Sequence, residues 1–392
     1  MKNALKNTLF ISFIGLLSFT LIAQNHTNIS AAANQLEDYL PLLHNKKIGV
    51  VGNHNSLVKS PSGYIHLVDT LHQSGVQIEK VFGPEHGFRG KAPDGEKINN
   101  DIDLKTGIPI VSLYGQSRKP SAKQLQGIDL LLFDLQSVGV RFYTYLSTLH
   151  LVLEACAENQ IPIVLLDRPN PNGYYIDGPV LDSKFKSFVG MHPIPIVYGM
   201  TLGEMAQMII GEGWLDTPTS PKLKVLPVEN YRRQRNITIP FPPSPNLPNA
   251  HAIALYPSLC LLEPTVVSVG RGTNQQFQIY GHPDFESDFS FVPQPNSASK
   301  YPKLVQKECF GVDLQNESKP EQIRLNYLLD AYTRIKDKSE FFLSTFERIA
   351  GNDILRKQVI AGLSETEIRA SWEPQLSDFK KKRKKYLLYP NE

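Results

Sequence analysis

Short apolar runs alternate with amphipathic stretches from residue 46 onward. The apolar runs are rich in Val, Ile and Leu and predict β-strands at 47–52, 76–82, 108–113, 128–135 and 161–166. Between them, apolar residues recur at helical spacing over 65–74 and 147–159. This alternation is typical of an α/β fold with a doubly wound, mostly parallel sheet, which is the fold class that we predict.

The later part of the chain has a different pattern. A proline-rich segment, PFPPSPNLP at 240–248, is followed by a mixture of predicted elements, which are a strand at 277–280 and helices at 321–336 and 346–362. We therefore predict a first domain over 46–255 and a second, smaller α+β domain over 256–392. Residues 24–45 are expected to form an N-terminal leader.

The N-terminus resembles a secretory signal peptide. Lys2 and Lys6 precede an apolar run from Leu9 to Ala23, which is shorter than a membrane-spanning helix and is interrupted by Ser and Thr. We predict that residues 1–23 are removed on export, that no membrane anchor remains, and that the protein is periplasmic or secreted.

Charge and motif content exclude several classes of protein. The chain of 392 residues has 41 Lys+Arg and 38 Asp+Glu, and its net charge of +3 disfavours a nucleic-acid binder. The three cysteines are too few and too far apart for a disulfide scaffold. The sequence has no dinucleotide fingerprint, phosphate-binding loop, HExxH motif or GxSxG elbow. We therefore expect no organic cofactor, no metal ion and no obligate protein partner.

Polar clusters follow four predicted strands, at 53–55, 85–89, 134–141 and 167–170. The carboxyl ends of parallel strands meet at one edge of a sheet, where ligands bind, so we predict the functional site at this edge. The second cluster brings the carboxylate of Glu85, the imidazole of His86 and the guanidinium of Arg89 together. Either these groups act on a ligand, or Glu85 pairs with Arg89 and His86 caps a turn.

Two further clusters have a functional and a structural interpretation. Arg141, Tyr143 and Tyr145 alternate, so on an extended segment they share one face, which suits a sugar ring with an acid group. Alternatively, the tyrosines pack under the sheet. The loop after the last of these strands is held rigid by prolines, and either faces a ligand or is a structural turn; its polar residues are Asp167, Arg168 and Asn170.

Two glutamates farther along the chain have different expected roles. Thr201 and Glu204 have the spacing of a capping box that opens a helix at 201–211, which predicts a structural role for Glu204. Glu263 and Arg271 lie in a loop just past the predicted boundary, from which they can close over the sheet edge.

Six motifs together resemble those of the exo-β-N-acetylmuramidases, a bacterial family of glycoside hydrolases long known only as a domain of unknown function. They are FGPEHGFRG (82–90), SLYG (112–115), FDLQSVGVRFYTYLSTL (133–149), DRPNP (167–171), PIPIVYGMTLGEMA (193–206) and SVGRGT (268–273). Residues 346–389 are similar to the second domain of that family. The resemblance implies a Rossmann-like domain with an ancillary domain. It also implies release of non-reducing terminal N-acetylmuramic acid (MurNAc) from peptidoglycan fragments, at a cleft between the domains.

The resemblance assigns the motif glutamate to Glu85 and further motif positions to neighbouring residues. The candidate catalytic residues are Glu85, His86 and Asp167. The candidate substrate-binding residues are Asn53, Arg89, Arg141, Tyr143, Tyr145, Arg168, Asn170, Glu263 and Arg271.

The chemistry of MurNAc leaves two assignments open. Its lactyl carboxylate suits a planar guanidinium group. The candidates are Arg89, Arg141, Arg168 and Arg271, of which Arg141 and Arg271 are preferred. Cleavage needs a proton donor, assigned to Glu85, and a second group, which is Asp167, Asp134, Glu263 or the acetamido group of the substrate. The alternative functions are a non-catalytic carbohydrate-binding protein of the same fold, suggested by departures from the family pattern at Pro264 and Val269, and a cell-wall esterase.

Overall fold

The structure is a computed structural model that describes residues 28–89, 101–115, 117–234 and 236–391. The predicted signal peptide at 1–23 lies outside these ranges. Within them, no helix combines the length and the apolar character needed to cross a membrane.

In the described residues, the first part of the chain folds around a seven-stranded sheet. This part of the chain has nine strands in the described residues, of which β2 and β3 form a separate hairpin and the other seven form the sheet. In chain order they are β1 (Ile48–Gly52), β2 (Leu57–Ser60), β3 (Gly63–His66), β4 (Ile78–Gly83), β5 (Asp101–Ile102), β6 (Pro109–Ser112), β7 (Leu130–Asp134), β8 (Ile163–Leu166) and β9 (Leu223–Leu226). The spatial order is β5-β6-β4-β1-β7-β8-β9, and all neighbours are parallel except β5 and β6. The order therefore reverses between β1 and β7, which makes this the topological switch point of the sheet.

Helices cover both faces of this sheet. They are α1 (Leu36–Leu43), α2 (Leu67–Gln73), α3 (Ala122–Leu125), α4 (Tyr145–Glu158), α5 (Leu202–Gly211) and α6 (Ala250–Leu259). Side chains of β1, β4 and β7 are buried in two apolar clusters, because alternate residues of a parallel strand point to opposite faces. The helix α1, which lies in the predicted leader, packs Tyr39 and Leu43 into one of these clusters.

The later part of the chain forms a smaller α+β unit. Its strands, in the antiparallel order β10-β12-β11, are β10 (Ile279–His282), β11 (Ser290–Phe291) and β12 (Cys309–Asp313). Its helices are α7 (Asn326–Arg334), α8 (Phe346–Ala350), α9 (Ile354–Ile360) and α10 (Glu365–Arg383).

The predicted fold class is confirmed, and so are the five predicted strands of the sheet to within a few residues. The single helix predicted over 346–362 is wrong, because Gly351 takes a left-handed conformation (φ +86°) that ends α8 and separates it from α9. The strand predicted at 277–280 begins only at Ile279, since Phe277 has a φ of +54°.

Candidate functional site

A cavity of about 370 Å³ lies at the carboxyl ends of β4, β6 and β7, next to the switch point. Both parts of the chain line it. Of the predicted site residues, it brings together Glu85, His86, Tyr143, Tyr145, Glu263 and Arg271. The lining also includes Tyr114, Arg118, Phe142, Thr144, Phe188, Tyr256, Phe277, Arg348 and Ile349.

Glu85 is held at the cavity by a tight turn after β4 and by the start of α4. The turn reverses at His86 and Gly87, which have φ values of +69° and +76°. The Thr144 hydroxyl donates a hydrogen bond of 2.8 Å to Glu85 Oε2. Within the described residues the other oxygen, Oε1, accepts no hydrogen bond, which leaves it available to a ligand. The alternative in which Glu85 pairs with Arg89 is wrong, because Arg89 has other partners.

Aromatic rings line one side of the cavity. Tyr143 packs edge-on against Tyr145 at 4.8 Å between ring centroids, and Tyr256 packs edge-on against Phe277 at 4.9 Å. The Tyr143 hydroxyl donates to the carbonyl of Pro243, and burial raises the pKa of this phenol well above its usual value. Tyr143 is therefore a neutral, fixed platform, and aromatic faces of this kind suit the apolar face of a sugar ring.

Glu263 and Arg271 form an ion pair at the cavity wall. The Nε and Nη2 atoms of Arg271 each lie 2.8 Å from Glu263 Oε2. Behind them, the ammonium group of Lys303 donates to three carbonyls of one loop, those of Glu263 (2.8 Å), Thr265 (2.5 Å) and Val267 (2.9 Å). Burial lowers the pKa of Lys303 to about 8. Lys303, which sequence reasoning missed, thus fixes the loop that carries Glu263.

Asp167 does not line the cavity, so the geometry gives no support to its predicted catalytic role. Its carboxylate is fully buried after β8 and accepts from the hydroxyls of Thr201 and Tyr389 at 2.6 Å each and from the Gly203 amide at 2.9 Å. Burial raises its pKa to about 6, opposed by these hydrogen bonds. A carboxylate surrounded by donors of the protein itself has no face left for a substrate.

Arg168 and Asn170 are also buried after β8 and are absent from the cavity lining. Arg168 pairs with Asp134 through Nε at 2.5 Å and Nη2 at 2.8 Å, which also removes Asp134 from the candidates for the second catalytic group. The Asn170 amide donates to the carbonyl of Met200. These residues, predicted to bind substrate, instead hold the loops of the sheet edge together.

Asn53 and Arg89 also have structural partners instead of a place at the cavity. The Asn53 amide is buried and donates to the Tyr145 hydroxyl at 2.7 Å, so it positions a lining residue from behind. Arg89 pairs with Asp69 at 2.9 Å and with Asp103 at 2.6 Å. Hydrogen bonds to this guanidinium lower the pKa of both carboxyl groups, although their burial opposes the shift.

The shared face predicted for residues 141–145 is wrong, because α4 begins at Tyr145 and turns the backbone away from an extended path. Arg141 is buried behind the cavity wall. Its guanidinium donates to four backbone carbonyls at 2.7–2.9 Å, those of Pro179, Ile194, Ile349 and Ala350. Arg141 therefore joins the end of α8 to the first domain and is absent from the cavity lining.

The sequence interpretation missed several polar lining residues, among them Thr144, Arg118 and Arg348. Thr144 lies inside the RFYTY motif between Tyr143 and Tyr145, which were both predicted to bind substrate. Arg118 and Arg348 lie outside the four polar clusters that follow predicted strands, so the strand-end pattern did not indicate them. In the described residues, no group of three His, Cys, Asp or Glu side chains is placed to hold a metal ion.

The fold and the cavity define a two-domain α/β protein with an aromatic-lined pocket that holds both carboxylate and guanidinium groups, next to the switch point of its sheet. Two family models match the chain, those of the exo-β-N-acetylmuramidase NamZ N-terminal domain over residues 48–251 and C-terminal domain over 254–389. The chain therefore belongs to the exo-β-N-acetylmuramidase NamZ family.

Individual relatives agree with this membership. The chain is 37% identical over 380 residues to the peptidoglycan β-N-acetylmuramidase NamZ of Bacillus subtilis, an alignment that covers 90% of this chain and 89% of the relative. Two crystal structures of DUF1343 family proteins from Bacteroides fragilis are also similar. One has a TM-score of 0.86 at 44% identity and covers 93% of this chain and 100% of its own. The other has a TM-score of 0.80 at 26% identity and covers 92% and 99%.

Proposed function

We propose that this protein is an exo-acting glycoside hydrolase that releases non-reducing terminal MurNAc from peptidoglycan fragments, and that the cavity between its two domains is the active site. The observation that carries the proposal is the position of Glu85, one of whose carboxyl oxygens is held by Thr144 while the other is available beside a platform of aromatic rings. A compact cavity of about 370 Å³ suits the terminal sugar of a chain better than an internal one.

Glu85 is the proton donor to the leaving oxygen in this proposal. Of the protein groups considered for the second role, Glu263 lines the cavity, whereas Asp134 and Asp167 are buried with other partners. Arg271 neutralises Glu263, so this carboxylate must exchange its partner before it can act as a base or nucleophile. The acetamido group of the substrate is the other candidate. Loss of turnover in Glu263→Gln with a normal melting temperature assigns the role to Glu263, and retained turnover assigns it to the acetamido group.

Chromogenic β-glycosides of MurNAc and of N-acetylglucosamine (GlcNAc) test the proposal. We expect release from the MurNAc glycoside by the wild type and by Glu229→Gln, a control at an exposed glutamate outside the cavity, and none by Glu85→Gln. A thermal melt checks that each variant folds. Wild-type turnover by Glu85→Gln would reject Glu85 as the donor. Binding of MurNAc by the wild type without release would favour the non-catalytic alternative.

We also propose that the protein is exported and works in the periplasm. Lys2, Lys6 and the apolar run ending at Ala23 support this proposal, as does a substrate that lies in the cell wall. The mass of the protein purified from a periplasmic extract tests it. We expect loss of residues 1–23, and an intact N-terminus in a cytoplasmic fraction would contradict the proposal.

A further inference from the structure

Three arginines line the cavity, and only one of them is paired with a carboxylate in the described residues. Arg271 is held by Glu263. Arg118, from the segment after β6, and Arg348, on α8, form no ion pair with a described carboxylate. The lining thus contains three guanidinium groups against the carboxyl groups of Glu85 and Glu263, and the excess of positive charge favours an anionic ligand.

Arg118 is held by stacking. The central carbon of its guanidinium lies 4.3 Å from the ring centroid of Phe188, and the ring of Tyr114 lies 6.3 Å from that of Phe188. Stacking on a ring face fixes the plane of a guanidinium while its N–H groups remain able to donate at the rim of the plane. The side chain is solvent-exposed at the cavity, so these donors are accessible to a ligand.

Arg348 is held by the position of its helix. The last two residues of α8, Ile349 and Ala350, accept hydrogen bonds from the buried guanidinium of Arg141 at 2.9 and 2.8 Å. The Gly351 carbonyl that follows accepts from the Asp182 amide at 2.8 Å. These bonds fix α8 to the first domain, so the exposed side chain of Arg348 projects from a rigid part of the cavity wall.

We propose that Arg118 and Arg348 form a carboxylate-binding subsite that selects a terminal sugar with an acid substituent over its uncharged analogue. The inference rests on the proposed function, because it assigns the lactyl carboxylate of MurNAc to these two residues. It replaces the predicted assignment to Arg141, whose guanidinium is buried, or Arg271, which is paired with Glu263. Planar guanidinium groups bind carboxylates through short, charge-assisted hydrogen bonds that an uncharged hydroxyl cannot replace.

The test compares Arg118→Met, Arg348→Met and the double variant with the wild type on the MurNAc and GlcNAc glycosides. We expect the ratio of kcat/KM for MurNAc over GlcNAc to fall by about 10- to 100-fold per variant, mainly through a higher KM for MurNAc. Arg348→Lys keeps the charge and loses the planar donor pair, so it should recover only part of the ratio. Arg232→Met, at an exposed arginine outside the cavity, is the matched control.

Calorimetric binding of free MurNAc and free GlcNAc gives a second measurement that does not depend on turnover. Weaker binding of MurNAc in both variants, with GlcNAc binding changed less than twofold, supports the subsite even if the wild type proves inactive. A MurNAc-to-GlcNAc ratio within twofold of the wild-type ratio in the double variant would overturn the subsite. Absence of wild-type release from either glycoside would instead count against the proposed function.

Discussion

The loops that follow β4 and β8 look alike in the sequence and differ in the structure. Each has an acidic residue near its start, Glu85 or Asp167, followed by basic residues and rigid or tight turns. Glu85 accepts one side-chain hydrogen bond and faces the cavity, whereas Asp167 accepts hydrogen bonds from two hydroxyls and two amides and is fully buried. Position at the carboxyl end of a parallel strand therefore marks a place where chemistry is possible, and the covering segments decide whether it occurs.

Two segments of the chain cover the carboxyl end of β8. The start of α5 provides Thr201 and the Gly203 amide over β8, and the C-terminal segment provides the Tyr389 hydroxyl. The same segment donates the Leu388 and Tyr389 amides to Glu204, which also pairs with Arg233. We call the edge at β4 the open edge and the edge at β8, covered in this way, the sealed edge.

The largest expected effects come from the same change, a carboxylate to an amide, at each edge. Glu85→Gln should reduce kcat/KM by about 1,000-fold or more with a normal melting temperature, since it removes a proton donor. Glu204→Gln should lower the free energy of unfolding by about 3–5 kcal/mol, because it leaves the buried Arg233 without its counter-charge. Activity assays and urea unfolding of both variants check this, and equal losses of stability would remove the distinction between the edges.

The second prediction concerns pH and the sealed edge. The pKa of Asp167 is about 6 in the folded protein against 3.8 in the absence of the fold, so between these values the folded state holds a proton that the unfolded state has released. Stability attributable to Asp167 should therefore rise as pH falls through this window. Relative to Asp167→Asn, the wild type should gain about 2 kcal/mol between pH 7 and pH 4. Urea unfolding at both pH values measures the difference, and a constant difference would contradict the raised pKa.

A smaller effect is expected from the hydroxyl that seals this edge. Tyr389→Phe removes a hydrogen bond to Asp167 and the acceptor of the Val228 amide, and should lower the free energy of unfolding by about 1–2 kcal/mol. Because the site is remote from the cavity lining, kcat/KM at a temperature well below the melting transition should equal the wild-type value. A large loss of activity in the folded variant would show that the sealed edge supports the reaction directly.

The smallest effect is expected from the matching hydroxyl at the open edge. Thr144→Val removes the hydrogen bond to Glu85 Oε2 and should reduce kcat/KM by about fivefold to tenfold, since a single neutral donor orients the acid. Its melting temperature should change little because Thr144 is only half-buried. Thr144→Ser, which keeps the hydroxyl, should restore activity. A loss of stability in Thr144→Val larger than that in Tyr389→Phe would contradict the expected difference between the open edge and the sealed edge.

The sheet and its open edge could be predicted because both follow from local patterns. Apolar runs such as 130–134 identify parallel strands, and Glu85 lies two residues after the end of another strand, β4. The capping role of Glu204 was also readable, since Thr201 and Glu204 form the predicted box. Gly351 marked the break between α8 and α9, and the prediction of one helix overlooked it.

The hydrogen-bond partners of Asp167 and Arg141 could not be predicted in this way. Tyr389 meets Asp167 from a position 222 residues later, and no local pattern signals so distant a partner. Arg141 bonds only backbone carbonyls, and every residue has a carbonyl, so the sequence gives no hint of its partners. Arginine before aromatic residues looks the same whether its guanidinium binds a ligand or joins two segments.

The reach of the C-terminal segment also bears on the order in which the chain folds. Asp167 and Glu204 are synthesised about two hundred residues before Leu388 and Tyr389. Until those residues arrive, the first domain has the strands of its sheet, but Asp167 and Glu204 lack the three donors that the C-terminal segment provides. The two architectural domains are therefore not two independent folding units, and we expect the nascent N-terminal half to stay incompletely packed until the C-terminal segment docks.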